Sequence, residues 1–141
     1  MSQSPPLNNR ASEARPVANI LIVDDDEMDR TLVRTLLAQA GHDTYIAGDG
    51  DEALALCRGT PIDLVITDLQ MPNVHGLELI SVLRDLSPRP AIVAMSGTGE
   101  PQLDMASAVG ADEALSKPIS HGELLDTVRR ALRALTKRRD G

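Results

Sequence analysis

A doubly wound α/β fold, with a five-stranded parallel sheet and five helices, is what this 141-residue sequence predicts, on three observations. Short apolar runs of strand length alternate five times with longer amphipathic stretches. The strongest of these runs are apolar at nearly every position, as strands buried on both faces must be. The residues that end the runs are carboxylates, a hydroxyl and a lysine, placed where open parallel sheets bind their ligands.

Taken in order, residues 1–17 (MSQSPPLNNRASEARPV) are polar, carry three prolines and show no apolar period, which predicts a flexible N-terminal arm. Ile20-Leu21-Ile22-Val23 is a buried strand, followed by a helical stripe of Leu32, Val33, Leu36, Leu37 and Ala40 that Gly41 ends. Thr44–Ala47 forms a weaker strand, and a helix runs from about Gly50 to Arg58. Asp63–Thr67 (DLVIT) is the third strand, with Leu77, Ile80 and Leu83 marking the helix after it. Pro90–Met95 (PAIVAM) is the fourth, followed by a poorly patterned helix from about Pro101 to Val109. Asp112–Leu115 is a marginal fifth strand. The last helix has the clearest stripe: Leu124, Leu125, Val128, Leu132 and Leu135. These limits place one domain at residues 18–135, with 136–141 (TKRRDG) as a C-terminal tail and no output domain after it.

Composition narrows the function. Hydrophobic residues make up 42% of the chain, enough for one core, and with Tyr45 as the only aromatic that core is aliphatic. A net charge of −7 repels nucleic acid and anionic membranes. The basic residues near the end (Arg129, Arg130, Arg133, Lys137, Arg138, Arg139) suit a helix C-terminus, or else a docking or dimerisation face. Cys57, the single cysteine, excludes an internal disulfide and reads as a small buried hydrophobe. No apolar run approaches the roughly 20 residues of a membrane span, and no secretion signal opens the chain, so the cytoplasm is the expected compartment.

The strand ends carry the chemistry. Asp24-Asp25-Asp26 follows the first strand, Asp68 the third, Ser96-Gly97-Thr98 the fourth and Lys117-Pro118 the fifth. Two carboxylates about 4 Å apart repel by roughly 4 kcal/mol at an effective dielectric near 20, so such a cluster needs a cation or bound protons. All-oxygen ligands without thiolate or imidazole favour a hard ion, Mg2+ or Mn2+. Beside a lysine and a hydroxyl, that arrangement suits phosphoryl transfer, and one carboxylate can itself be the nucleophile. Singly, the residues read more plainly: Asp24 as a helix cap, Asp26 and Asp29 as helix N-terminal charges, Ser96-Gly97 as a turn, Lys117 as a solvated lysine. Their joint occurrence at four strand ends outweighs those readings.

Four blocks, VDDDEMDR (23–30), TDLQMPNVHGLEL (67–79), AMSGTG (94–99) and LSKPI (115–119), resemble the receiver domain of response regulators in two-component signalling. They stand in that family's order and spacing, and the likeness covers about residues 18 to 135. It implies a CheY-like, flavodoxin-like sheet of strand order 2-1-3-4-5. It further implies Asp68 as phosphoacceptor, Asp24 and Asp25 as the Mg2+-binding pair, and Gln70 as a metal ligand through its carbonyl. Ser96 would hydrogen-bond the phosphoryl group, Lys117 would pair with a phosphoryl oxygen, and a cis peptide would precede Pro118. Gln70 and Thr98 flank the pocket and bear on phosphoryl lifetime.

Two positions depart from the family. Ala114 stands where an aromatic switch residue is common, so the signal is expected to travel through Ser96 and its loop without a rotamer change. His75 replaces an aspartate in the loop after Asp68 and reads as a solvated residue. His42 and His121 have no metal-ligand spacing with it or with each other. The expectation is a stand-alone phosphorelay switch. A sensor histidine kinase or a histidine phosphotransfer protein would supply its phosphoryl group, and a downstream protein would read the state. It would be no metabolic enzyme, catalysing only its own phosphorylation and dephosphorylation. Two alternatives stand: a haloacid-dehalogenase-type hydrolase built on Asp24-Asp25-Asp26, against which the TDLQMP block counts, and a receiver fold kept as a docking module.

Overall fold

The computed structural model describes residues 17–70, 76–97 and 100–140. Among them strands and helices alternate: β1 (Asn19–Val23), α1 (Glu27–Gln39), β2 (Asp43–Ala47), α2 (Gly50–Gly59), β3 (Leu64–Asp68), α3 (Gly76–Arg84), β4 (Ala91–Ser96), α4 (Glu100–Val109), β5 (Glu113–Ser116) and α5 (His121–Asp140). The strands form one parallel sheet in the order β2-β1-β3-β4-β5, as the resemblance implied.

The two-residue period of a strand sorts the core into two layers. Ile20, Ile22, Leu64, Ile66, Ala91, Val93 and Met95 point to one face, where Val33 and Leu37 of α1 and Leu124, Val128 and Leu132 of α5 cover them. Leu21, Val23, Val65, Ile92 and Ala94 point to the other, under Ala53 of α2, Leu79, Ile80 and Leu83 of α3, and Ala106 of α4. Burying each large aliphatic side chain stabilises the fold by about 1.5–3 kcal/mol, so the sheet needs no aromatic residue to anchor it. The period of α4 is hard to read because this helix covers the sheet with small or half-buried residues and leaves Met105 outside.

Local chemistry sets the helix limits. Asp26 caps α1, its Oδ1 accepting from Met28 N and Asp29 N, which starts that helix well before its first buried side chain. The capping role considered for Asp24 therefore belongs to Asp26. Gly41, at φ 97°, takes the left-handed conformation that ends α1. At α2, Asp49 accepts from Glu52 N while Glu52 reaches back to Gly48 N.

The structure corrects two expectations. Residues 136–140, read as a tail, continue α5, so the limit at 135 falls inside a helix. Their basic side chains complement the helix C-terminus and reach the near edge of the sheet, Arg139 at 3.0 Å from Asp63 and Arg138 at 3.6 Å from Asp112. Cys57 is half-buried, because α2 lies over the sheet's β2 edge; burial still pushes its thiol pKa up. Residues 1–16 of the predicted arm lie outside the described residues.

Register places the strand ends level: Val23 pairs with Thr67, Asp68 with Met95, and Ser96 with Ser116. Just beyond, α3 begins at Gly76, against the end of β3. A Cβ at Gly76 would stand 2.5 Å from both Asp68 O and Leu69 Cα, backbone atoms that cannot swing aside. Gly76→Ala is therefore expected to lower unfolding free energy by about 1–3 kcal/mol in chemical denaturation. Gly122→Ala, at a helical position with no heavy atom within 4 Å of the added Cβ, is expected to leave stability unchanged or raise it by up to about 1 kcal/mol.

Candidate functional site

The level strand ends bring Asp24, Asp25, Asp68, Ser96 and Lys117 to one rim of the sheet. Asp24 is fully buried, Ser96 is also buried, and Asp68 is 5% exposed. Asp25 is exposed, yet one carboxylate oxygen from each of Asp24, Asp25 and Asp68 falls within 4.8 Å of the others. Each such pair repels by roughly 3–4 kcal/mol at an effective dielectric near 20.

Asp24 is fixed on every side. Its N–H donates to Ala47 O at 3.1 Å, its Oδ1 accepts from Asp26 N at 2.9 Å, and its main-chain oxygen accepts from Arg30 Nη1 at 3.0 Å. Its Oδ2 accepts from Lys117 Nζ at 3.1 Å. Burial raises its carboxyl above the usual carboxylate range, even though the Asp26 amide and Lys117 pull the other way. Asp68 sends Oδ2 to within 3.5 Å of Lys117 Nζ, and its Oδ1 accepts from Gln70 N at 3.3 Å.

Lys117 follows β5 and is held by two backbone features. Its N–H donates to Ser96 O at 2.9 Å, and the Lys117–Pro118 peptide is cis, as the resemblance implied. Burial alone would lower its pKa. Hydrogen bonds to Asp29 and Asp24, with the charges of Asp24 and Asp68, instead hold the ammonium well above the ordinary lysine range. It is a fixed cation shared by Asp24 at 3.1 Å, Asp29 at 2.9 Å and Asp68 at 3.5 Å.

The donor set fits a hard divalent ion. Its ligands are all oxygen, two carboxylates are almost wholly buried, and the charge of Asp24 is destabilised by that burial. Among the described residues no histidine belongs to the group: His42 accepts from Ala18 N at the opposite end of β1, and its pKa is lowered by burial. His121 lines the same cleft between α1 and α5 as His42. His75 and Thr98 lie outside the described residues. Ala114 is half-buried on β5 opposite Ala94.

Asp29 and Arg30 were not read from sequence as members of this site. Asp26 bonds Asp29 N and pins the first turn of α1 above the rim, which aims Asp29 at Lys117 and Arg30 at the Asp24 carbonyl. The available signal was their position one helical turn past an acidic strand end. Nothing in the spacing names Lys117 as a partner 88 residues away.

The model of the response regulator receiver domain matches residues 20–129. Over 121 residues the chain is 36% identical to the autoinducer 1 sensor kinase/phosphatase LuxN of Vibrio campbellii, a match covering 79% of this chain and 14% of that protein. It is 35% identical over 114 residues to the DNA-binding response regulator MtrA of Mycobacterium tuberculosis, covering 81% of this chain and 50% of that one. The chain thus spans about half of one curated relative and a small part of the other. Among solved structures, chemotaxis response regulator CheY4 of Vibrio cholerae superposes with a TM-score of 0.76 at 34% identity, covering 82% of this chain and 99% of that chain. NtrX of Brucella abortus superposes with a TM-score of 0.84 at 31% identity, covering 88% and 29%. With its order of strands, its acidic rim and a family match over most of its length, the chain belongs to the response regulator receiver domain family.

Proposed function

We propose that this receiver is a phosphoryl-dependent switch in which Asp68 is the acceptor. The observation that carries the reading is the convergence of Asp24, Asp25 and Asp68 on one rim with Lys117 among them. In the proposed step a carboxylate oxygen of Asp68 attacks phosphorus of a phosphohistidine on a sensor kinase or histidine phosphotransfer protein. The new O–P bond forms as the N–P bond breaks, and the electron pair leaves with the histidine nitrogen. Lys117 pairs with a phosphoryl oxygen and Ser96 donates its hydroxyl hydrogen to another. Asp24, Asp25, Asp68 and the Gln70 carbonyl are the groups that would hold Mg2+ or Mn2+. Bound there, the ion supplies positive charge to the phosphoryl oxygens as the transfer proceeds.

On this reading the chain turns over no metabolite; it catalyses only its own phosphorylation and dephosphorylation. It works as a stand-alone regulator in the cytoplasm, through contact with a downstream protein. The net charge of −7 argues against direct contact with nucleic acid or anionic lipid, and no helix among the described residues is long and apolar enough to cross a membrane. Because Ala114 has too little surface to gain or lose as a switch, Ser96 and its loop carry the change outward.

Incubation with acetyl phosphate and Mg2+ should add one phosphoryl mass to the native chain as a hydroxylamine-sensitive acyl phosphate. Asp68→Asn should abolish it, and an unlabelled native chain would leave only a docking module. Mg2+ affinity, followed by calorimetry, should fall as pH drops, since proton and metal compete for Asp24 and burial moves that competition to a higher pH than for an ordinary aspartate. The same raised pKa means that the folded metal-free chain holds a proton the unfolded chain releases. Ionising Asp24 therefore costs stability as pH rises through the window above 3.8, and Mg2+ should reverse that loss. Asp24→Asn should flatten both dependences.

A further inference from the structure

We propose that Asp29 is a positioning residue that tethers Lys117 in the unphosphorylated chain and competes with the phosphoryl group for it. The inference rests on the reading of Asp68 as acceptor and adds a control on the same site.

The ammonium has three N–H bonds to give and faces three carboxylates. Asp29 Oδ2 is nearest at 2.9 Å, Asp24 Oδ2 follows at 3.1 Å, and Asp68 Oδ2 lies beyond hydrogen-bond reach in practice at 3.5 Å. The order matters, because Lys117 is held off the residue whose phosphoryl group it would serve. Burial separates the two holders. Asp24 is wholly inside and bonded to the Asp26 amide as well, whereas the Asp29 side chain is 39% exposed and spends its Oδ2 on Lys117. Water can therefore solvate Asp29 when Lys117 leaves, which makes it the releasable partner of the two.

The tether is well mounted. Asp26 Oδ1 accepts from Asp29 N and fixes the first turn of α1, while the bond from Lys117 N to Ser96 O fixes the other end. A phosphoryl oxygen on Asp68 then has to draw Lys117 across the rim and away from Asp29. Removing the Asp29 charge shifts that balance toward the phosphoryl-bound arrangement, speeding transfer and lengthening the life of the acyl phosphate.

The test follows acetyl phosphate labelling at saturating Mg2+, together with beryllofluoride affinity, in the full chain carrying Asp29→Asn, Asp29→Glu or Glu27→Gln. Glu27→Gln removes the same unit of charge from the same exposed helical turn with no bond to Lys117 among those found for the ammonium. Asp29→Asn should label roughly two- to fivefold faster and bind beryllofluoride tighter by a similar factor, the range an accessible ion pair supplies. Asp29→Glu should restore the slow behaviour, and Glu27→Gln should stay close to native. If Asp29→Asn is no faster than Glu27→Gln, or is slower than native, the tether is overturned while Asp68 stands as acceptor. If the native chain takes up neither phosphoryl group nor beryllofluoride, the acceptor reading fails and the tether with it.

Discussion

Mutual repulsion among the carboxylates at the C-terminal rim is the constraint on which the rest of the site depends. Four acidic side chains, Asp24, Asp25, Asp29 and Asp68, gather there, three of them on the ammonium of Lys117, with the Arg30 guanidinium against the main-chain oxygen of Asp24. Lys117 and Arg30 together cannot balance four carboxylates, and burial denies Asp24 the water that would screen it. A resting site of this kind is short of positive charge. That shortage is what the proposed function uses: a divalent ion would complete the balance, and an anion arriving on Asp68 would redistribute Lys117.

What makes the crowding tolerable is the rigidity of the frame beneath it. Two aliphatic layers clamp the sheet from both faces and hold the strand ends in register, so the acidic residues cannot relax apart without disturbing β1 or β3. Gly76 lets α3 start in contact with the backbone of Asp68 and Leu69, and Asp26 starts α1 directly after the acidic end of β1. At the opposite edge, Arg89 grips Asp112 through both oxygens while Asp112 accepts from Ile92 N, which ties the short β5, and so Lys117, to β4. Fold stability is in this way set against electrostatic strain at the site.

Much of this was legible in the sequence because it depends on local pattern. Alternating apolar runs mark the strands, the stripe from Leu124 to Leu135 marks α5, and four blocks at strand ends mark the rim. What escaped depends on partners remote in the chain. Residues 136–140 have no apolar stripe of their own; two of their arginines meet Asp63 and Asp112, on loops far back in sequence. Asp29 looked like a helix N-terminal charge, which it is, and only the folded rim brings it to Lys117. Cys57 lay in an apolar helical run, but burial there is decided by how far α2 overhangs the edge of the sheet.

The most direct measurement is a crystal structure of the full chain with Mg2+ and beryllofluoride. The account predicts the ion among Asp24, Asp25, Asp68 and the Gln70 carbonyl, with Lys117 Nζ turned from Asp29 toward a fluoride on Asp68. An ion bound elsewhere, or a Lys117 still resting on Asp24 and Asp29 beside an occupied Asp68, would contradict it.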